Sequence, residues 1–304
     1  MVSRHAAEPP SIRQDGFGTR VIERTANRRF ERLTLSPVLA SPASEQAIRA
    51  RAAHLTSLGR DSIARVSRIE RKGATLSTLS ELPEGVSLSD ILAALEFGTL
   101  TLSNDEVAEL VASVVQAAGR MHETLGTIAH GSLSPAHVVV TRDGSTVFTG
   151  AVFGDALQAL KQNRELLWRE FGLALPVAAS APKFDQRGDV AQLGALILAI
   201  CHRRSLGRNE FPFRVNDLVK AASLTSDTEL DSRLRCWLQN AMQLNGRVVF
   251  NSCVDAARKF RRLLPRGSSD EAGALALRTA ILQLCGGSGG SLSSAAAPEL
   301  WYPA

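Results

Sequence analysis

Two histidines and two serines fall within eight residues, His130-Gly131-Ser132-Leu133-Ser134-Pro135-Ala136-His137. Their types limit the chemistry they can do. A serine hydroxyl such as Ser132 does not accept a proton at neutral pH as a carboxylate does. His137 can bind a metal ion, but imidazole is not the hard oxygen ligand that suits magnesium. His130 fits a satisfied core histidine. Past Phe153-Gly154 stands Asp155, which reads either as a metal ligand or, more plainly, as a solvated loop acid.

Regular elements must hold this stretch. It reads as a loop entering a short strand, Val138-Val139-Val140-Thr141. Before it, Ser103 and Glu106 form a capping box. Val107, Leu110, Val111, Val114, Val115, Ala118 and Met121 then recur at helical steps. Burying that face contributes roughly 1.5 to 3 kcal/mol per large side chain. The helix ends near His122, with Gly126 as its stop. After the loop come an Asp143-Gly144 turn and a strand from Thr146 to Ala151. Upstream, Val21 to Glu23 and Phe30 to Ser36 read as strands behind a Gly16-Phe17-Gly18 turn. Residues 43–58 form an amphipathic helix, and Ile63 to Ile69 and Ala74 to Leu82 two more strands. Asp155 to Phe171 has the spacing of one amphipathic helix, placed to fill a groove where a substrate would lie.

This layout resembles the protein kinases, whose catalytic loop reads H-R-D-L-x-x-x-N. It is similar above all to bacterial serine/threonine kinases, whose loop often reads His-Gly-Asp-Leu. Ala181-Pro182-Lys183 is similar to the A-P-E that closes the activation segment, and Asp189-Val190-Ala191-Gln192-Leu193-Gly194 to the family's buried helix. The resemblance spans roughly residues 12–266 and implies an α+β fold: a bilobal protein-kinase-like domain with a small β-rich N-lobe (12–84) and a larger helical C-lobe (85–266). Residues 1–11 then form a flexible arm, and 267–304 a C-terminal helix, a Gly/Ser linker and a tail. Tyr302, in that tail, belongs either to a docking peptide or to a loose or folded-back end.

Laid on the family's motifs, the reactive positions hold the wrong residues. The phosphate-gripping lysine falls on Ser36, and no lysine occurs before Lys72. The helix glutamate falls on Arg51, or nearer Glu45 if the register slips by a turn, the catalytic aspartate on Ser132 and the metal-binding asparagine on His137. The D-F-G aspartate falls on Gly150, or on Val152 if Phe153-Gly154 is aligned. Gly16 and Gly18 match the first pair of the phosphate-covering G-x-G-x-x-G, or make a plain turn. Glu81 and Leu82 stand where backbone groups hold a purine edge. The resemblance implies structural roles for His130, which braces the loop, and Asp189, which accepts its backbone hydrogen bonds. It also matches Arg247 to the arginine that pairs with the A-P-E glutamate; here Lys183 faces it instead.

Composition narrows the classes further. The chain has 304 residues, a net charge of +5 and 44% hydrophobic content, without a run long enough to span a membrane. Its four cysteines show no CxxC spacing, so a reduced, cytoplasmic protein is expected. Aromatic residues make up 5% and do not interleave with the arginines, which argues against nucleic acid as a partner.

The expectation is therefore a pseudokinase: a non-catalytic regulator or scaffold that binds a protein partner, without cofactor. The alternatives are an atypical or weak ATP- and magnesium-dependent serine/threonine kinase, and a nucleotide-binding module without transfer.

Overall fold

Residues 11–25, 28–58, 63–176, 181–224, 227–244, 248–263 and 271–287 are described in a computed structural model. The alternating N-terminal segments form an antiparallel sheet of β1 (Ser11–Asp15), β2 (Gly18–Thr25), β3 (Arg28–Leu35), β4 (Val66–Lys72) and β5 (Thr75–Leu82), in the order β1-β2-β3-β5-β4. Strand β3 turns Arg29, Glu31, Leu33 and Leu35 inward. Two of those four are charged, which an apolar core alone does not call for. They mark the side of the sheet that faces the rest of the molecule. Helix α1 (Pro42–Thr56) follows β3, with the Ser41 hydroxyl accepting from Ser44 N at its start.

Beyond Gly85 the chain is mainly helical. It runs through β6 (Gly85–Ser87), α2 (Leu88–Glu96) and α3 (Asn104–Leu125). A 3-10 turn (Pro135–His137) then leads into β7 (Val138–Thr141) and β8 (Thr146–Phe148). Strands β6, β7 and β8 form a second, three-stranded sheet. The remaining helices are α4 (Gly154–Ala159), α5 (Arg164–Phe171), α6 (Gln186–Cys201), α7 (Val215–Ala221), α8 (Thr228–Ala241), α9 (Cys253–Arg261) and α10 (Glu271–Gly287). The capping box of α3 forms as its sequence demands, and its apolar stripe is buried. Helix α6 is buried from Gly188 to Cys201, which makes it the post against which the 130–137 loop is fixed.

Five expectations need correction. The 155–171 segment is two helices, not one. Lys161 takes a left-handed conformation (φ 51°), and the Asn163 side chain caps α5 by accepting from Leu166 N at 2.9 Å. An asparagine that can satisfy an orphan amide at a helix start favours a break over continuity. The second correction concerns β4, which starts at Val66, leaving Ile63 as an isolated bridge to Phe148. The strand after the Asp143-Gly144 turn stops at Phe148, because the chain turns at Gly150 (φ 78°). Finally, Ser11 opens an edge strand instead of ending the arm, and α10 continues to Gly287 where a Gly/Ser linker was expected from 286. Tyr302 and Arg247 lie outside the described residues. Among those described, no helix is long and apolar enough to cross a membrane, and all four cysteines are free.

Candidate functional site

The turn between β1 and β2 drops into the cleft between the two sheets. Asp15 shapes it: one carboxylate oxygen accepts from Phe17 N (2.9 Å) and Gly18 N (3.2 Å). Gly18 sits at φ 141°, so close to Thr34 that a Cβ would overlap its carbonyl. A Cβ on Gly16 would overlap the Glu170 carbonyl of α5. The two glycines are thus needed for close approach of backbone to backbone. Ser36, one residue past the end of β3, pins the turn with Oγ donating to Gly16 O (3.0 Å) and N donating to Phe17 O (2.8 Å). The inward positions of β3 itself carry no lysine.

This turn sends the Phe17 ring under itself. Phe17 is 1% exposed and lies 4.4 Å from the His137 ring, 5.2 Å from Phe171 and 5.6 Å from Phe153. A kinase covers nucleotide phosphates with the corresponding loop. Here the space beneath it is filled by Phe17 of the turn itself and by rings from the 130–137 loop, the segment after β8 and α5.

A buried cation completes the filling. Arg20, inward on β2, donates from Nε to Asp15 (2.7 Å) and from Nη1 to both oxygens of Glu31 (2.9 Å each). Its Nη2 lies 2.7 Å from His137 Nε2. Guanidinium has only donors, so Nε2 must be the accepting nitrogen, and the His137 proton is on Nδ1. That proton is donated to Ser132 O at 2.7 Å. Both nitrogens of His137 are therefore engaged. Burial, then the Arg20 charge, push its pKa well below the usual histidine range. Burial opposes the charge on Arg20 too, but Asp15 and Glu31 outweigh it and raise its pKa.

Behind His137 the loop is fixed to α6. Asp189 accepts from His130 N (2.5 Å), Gly131 N (2.7 Å) and His122 Nε2 (2.9 Å). The tautomer of His122 follows, because its Nδ1 accepts from Cys253 N at 3.0 Å. Gln192 Oε1 accepts from Leu133 N at 2.7 Å. Ser132 Oγ donates to Gly150 O (2.8 Å). His130 is fully buried, which pushes its pKa down to about 3. Gly150 is left-handed, and a Cβ there would lie 2.8 to 2.9 Å from three His137 ring atoms. A carboxylate at this position would need the imidazole to move.

Arg51, on α1, reaches across the cleft. It donates to the carbonyls of Ala129 and Ala151 and pairs with Asp155 at 2.7 Å. Asp155 is thus an arginine partner at the start of α4, and its side chain stays 58% exposed. Glu81 and Leu82 lie in the β3–β5 ladder, opposite Phe30 and Arg29, and Arg29 Nη1 donates to Gly85 O. The residues present do not fit a magnesium–nucleotide centre. Among the described residues no three His, Cys, Asp or Glu side chains group as a metal site. The carboxylates here, Asp15, Glu31 and Asp155, are paired with arginines.

Sequence reasoning located the loop and Arg51 but missed Phe17 and Arg20. The alternation of β2 held the signal for Arg20: it occupies an inward position, where a charge needs a partner. An aromatic between the two glycines was the signal for Phe17.

No protein-family model and no curated protein matches the sequence. Solved structures do. The kinase domain of Mycobacterium tuberculosis PknI is similar at 15% identity with a TM-score of 0.56, over 87% of this chain and 100% of that one. The kinase domain of maize sucrose-induced receptor kinase 1, bound to AMP-PNP, is similar at 16% identity with a TM-score of 0.59, over 84% of this chain and 93% of that one. At such identities the likeness is one of fold. The small β part, the helical part and the loop between them make this chain a bilobal α+β structure with the protein-kinase-like fold.

Proposed function

We propose that this domain is a pseudokinase, which holds the kinase architecture without phosphoryl transfer and works by binding another protein. The observation that carries the reading is the filled cleft: Phe17 and Arg20 meet His137 where phosphates and metal would sit. Transfer requires charge neutralisation and two oxygens held in line. The carboxylates nearest the cleft, Asp15 and Glu31, are spent on Arg20, and Asp155 is spent on Arg51. Nucleotide entry would require withdrawal of a buried ring and exposure of a paired guanidinium. No cofactor is therefore assigned to the domain.

The test is a thermal-shift series with ATP, alone and with magnesium or manganese, beside a transfer assay with γ-labelled ATP. The expected result is an unchanged melting temperature and no label on added protein. A metal-dependent shift with label transfer would restore the enzyme reading. A shift without transfer would make the domain a nucleotide-binding module.

A further inference from the structure

Several arginines of the described residues pair with carboxylates: Arg13 with Asp90, Arg49 and Arg71 with Glu45, Arg204 with Glu210, besides those of the cleft. The end of α9 gathers cations that do not. Arg258, Lys259 and Arg261 lie in its last turn and Arg262 is its C-cap, all four exposed. At about 100° per residue they cover one side of the helix. The other side, Cys253, Ala256, Ala257 and Phe260, is buried. Arg233 of α8 joins them by donating from Nη2 to Arg262 O. Among the described residues, none of the five forms an ion pair with a carboxylate.

A helix C-terminus favours one or two cations through its dipole, by about 0.3 to 1 kcal/mol each. Four in five residues, with a fifth guanidinium docked on the same turn, exceed that. Arg258 and Arg262 are also like charges at i, i+4, which repel by a few tenths of a kcal/mol. An anion on this face would relieve the repulsion. The face is held rigidly: Ala257 packs so closely on α3 that a Cβ on Gly119 would lie 3.0 Å from it, and Trp237 Nε1 donates to Ala256 O at 3.0 Å.

We infer that the α9 cation face, with Arg233, docks an acidic segment of a partner protein. Guanidinium forks match carboxylates in pairs of hydrogen bonds. The aromatic rings packed under this region, Trp237, Phe250 and Phe260, are at most 3% exposed, so nucleic-acid bases find nothing to stack on. Among the described residues, the exposed positions from Arg258 to Arg262 carry no large apolar side chain to enter a bilayer. The inference rests on the reading that the domain acts by binding protein, and it names the surface.

The test uses the full chain and fluorescence anisotropy with a labelled polyglutamate peptide. An oligothymidine strand and phosphatidylserine vesicles are run in parallel. The peptide should bind, and R258Q/K259Q/R261Q/R262Q should weaken it by about tenfold or more. A variant losing equal charge from the β-sheet surface, R28Q/R32Q/R68Q/K72Q, should leave it within about twofold. Equal losses in both variants would overturn the site, as would no binding. Tighter binding of oligothymidine or vesicles than of peptide would overturn the partner class. If the fourfold variant does not fold, R258Q and R262Q singly should each weaken binding, and no effect from either overturns the proposal. The ATP thermal-shift series on the same variants reads the cleft separately, so failure here is distinguishable from failure of the pseudokinase reading.

Discussion

The 130–137 loop has one side towards α6 and one towards the β-sheet, and the two are built by different means. Towards α6, a buried carboxylate and a carboxamide accept backbone N–H groups: Asp189 takes His130 N and Gly131 N, and Gln192 takes Leu133 N. Towards the sheet, side chains meet side chains, with Phe17 on His137 and Arg20 on His137 Nε2. The first set answers a demand of the main chain, since a buried amide without an acceptor costs free energy whatever the loop does. The second answers only the need to fill space and pair charge. The loop's shape and its reactivity are therefore separable, and substitution can test each side alone.

The largest effect is expected on the α6 side. Asp189→Ala orphans three buried donors and should cost about 3 to 5 kcal/mol, read from urea unfolding. A cost under about 1 kcal/mol would remove Asp189 as the loop's anchor. Phe17→Ala comes next, at about 3 kcal/mol from the lost ring and the cavity it leaves. It should also raise the lobe-to-lobe mobility seen by hydrogen exchange at residues 15–18; unchanged exchange would argue that the turn is held by Asp15 and Ser36 alone. Arg20→Gln leaves Asp15 and Glu31 facing each other and His137 without its donor. We expect about 2 kcal/mol, less than for a fully buried pair because Asp15 is a quarter exposed.

Acid should act on both sides together. His130 and His137 are neutral in the fold with pKa values depressed by burial. The unfolded chain takes up their protons near pH 6.5, while folded His130 does so only near pH 3. Stability is thus full above about pH 6.5 and falls as pH drops towards 3, by up to about 1.4 kcal/mol per pH unit for each histidine. Urea midpoints at pH 7 and pH 5 measure this, and His137→Gln should flatten the slope. The smallest effect is expected from placing a carboxylate in the 130–137 loop. Ser132→Asp should leave phosphoryl transfer at background in the γ-label assay, because Arg20 and Phe17 still hold the cleft.

Much of the fold was legible because it is written in repeated local signals. The α3 stripe, its capping box and the apolar run of α6 each specify their element many times over. Asp189 was legible because it sits in a motif. The cleft was harder, because its contents come from residues far apart in sequence. Arg20 meets His137 across 117 positions, and Arg51 meets Asp155 across 104. Neither pairing leaves a periodic trace. The break at Lys161 and Asn163 was hidden for another reason: apolar spacing continues through it, and only the capping asparagine marks the stop.

Gly150 carries a consequence for how this chain could ever change. Its left-handed backbone lies against the His137 imidazole, which in turn is hydrogen-bonded to Arg20. An aspartate there first meets the ring; shrinking the ring first strips Arg20 of a partner; removing Arg20 first strands two acids. Each of these three first steps towards a carboxylate at Gly150 loses stability before it gains a ligand, so His137 and Arg20 hold that position as a latch.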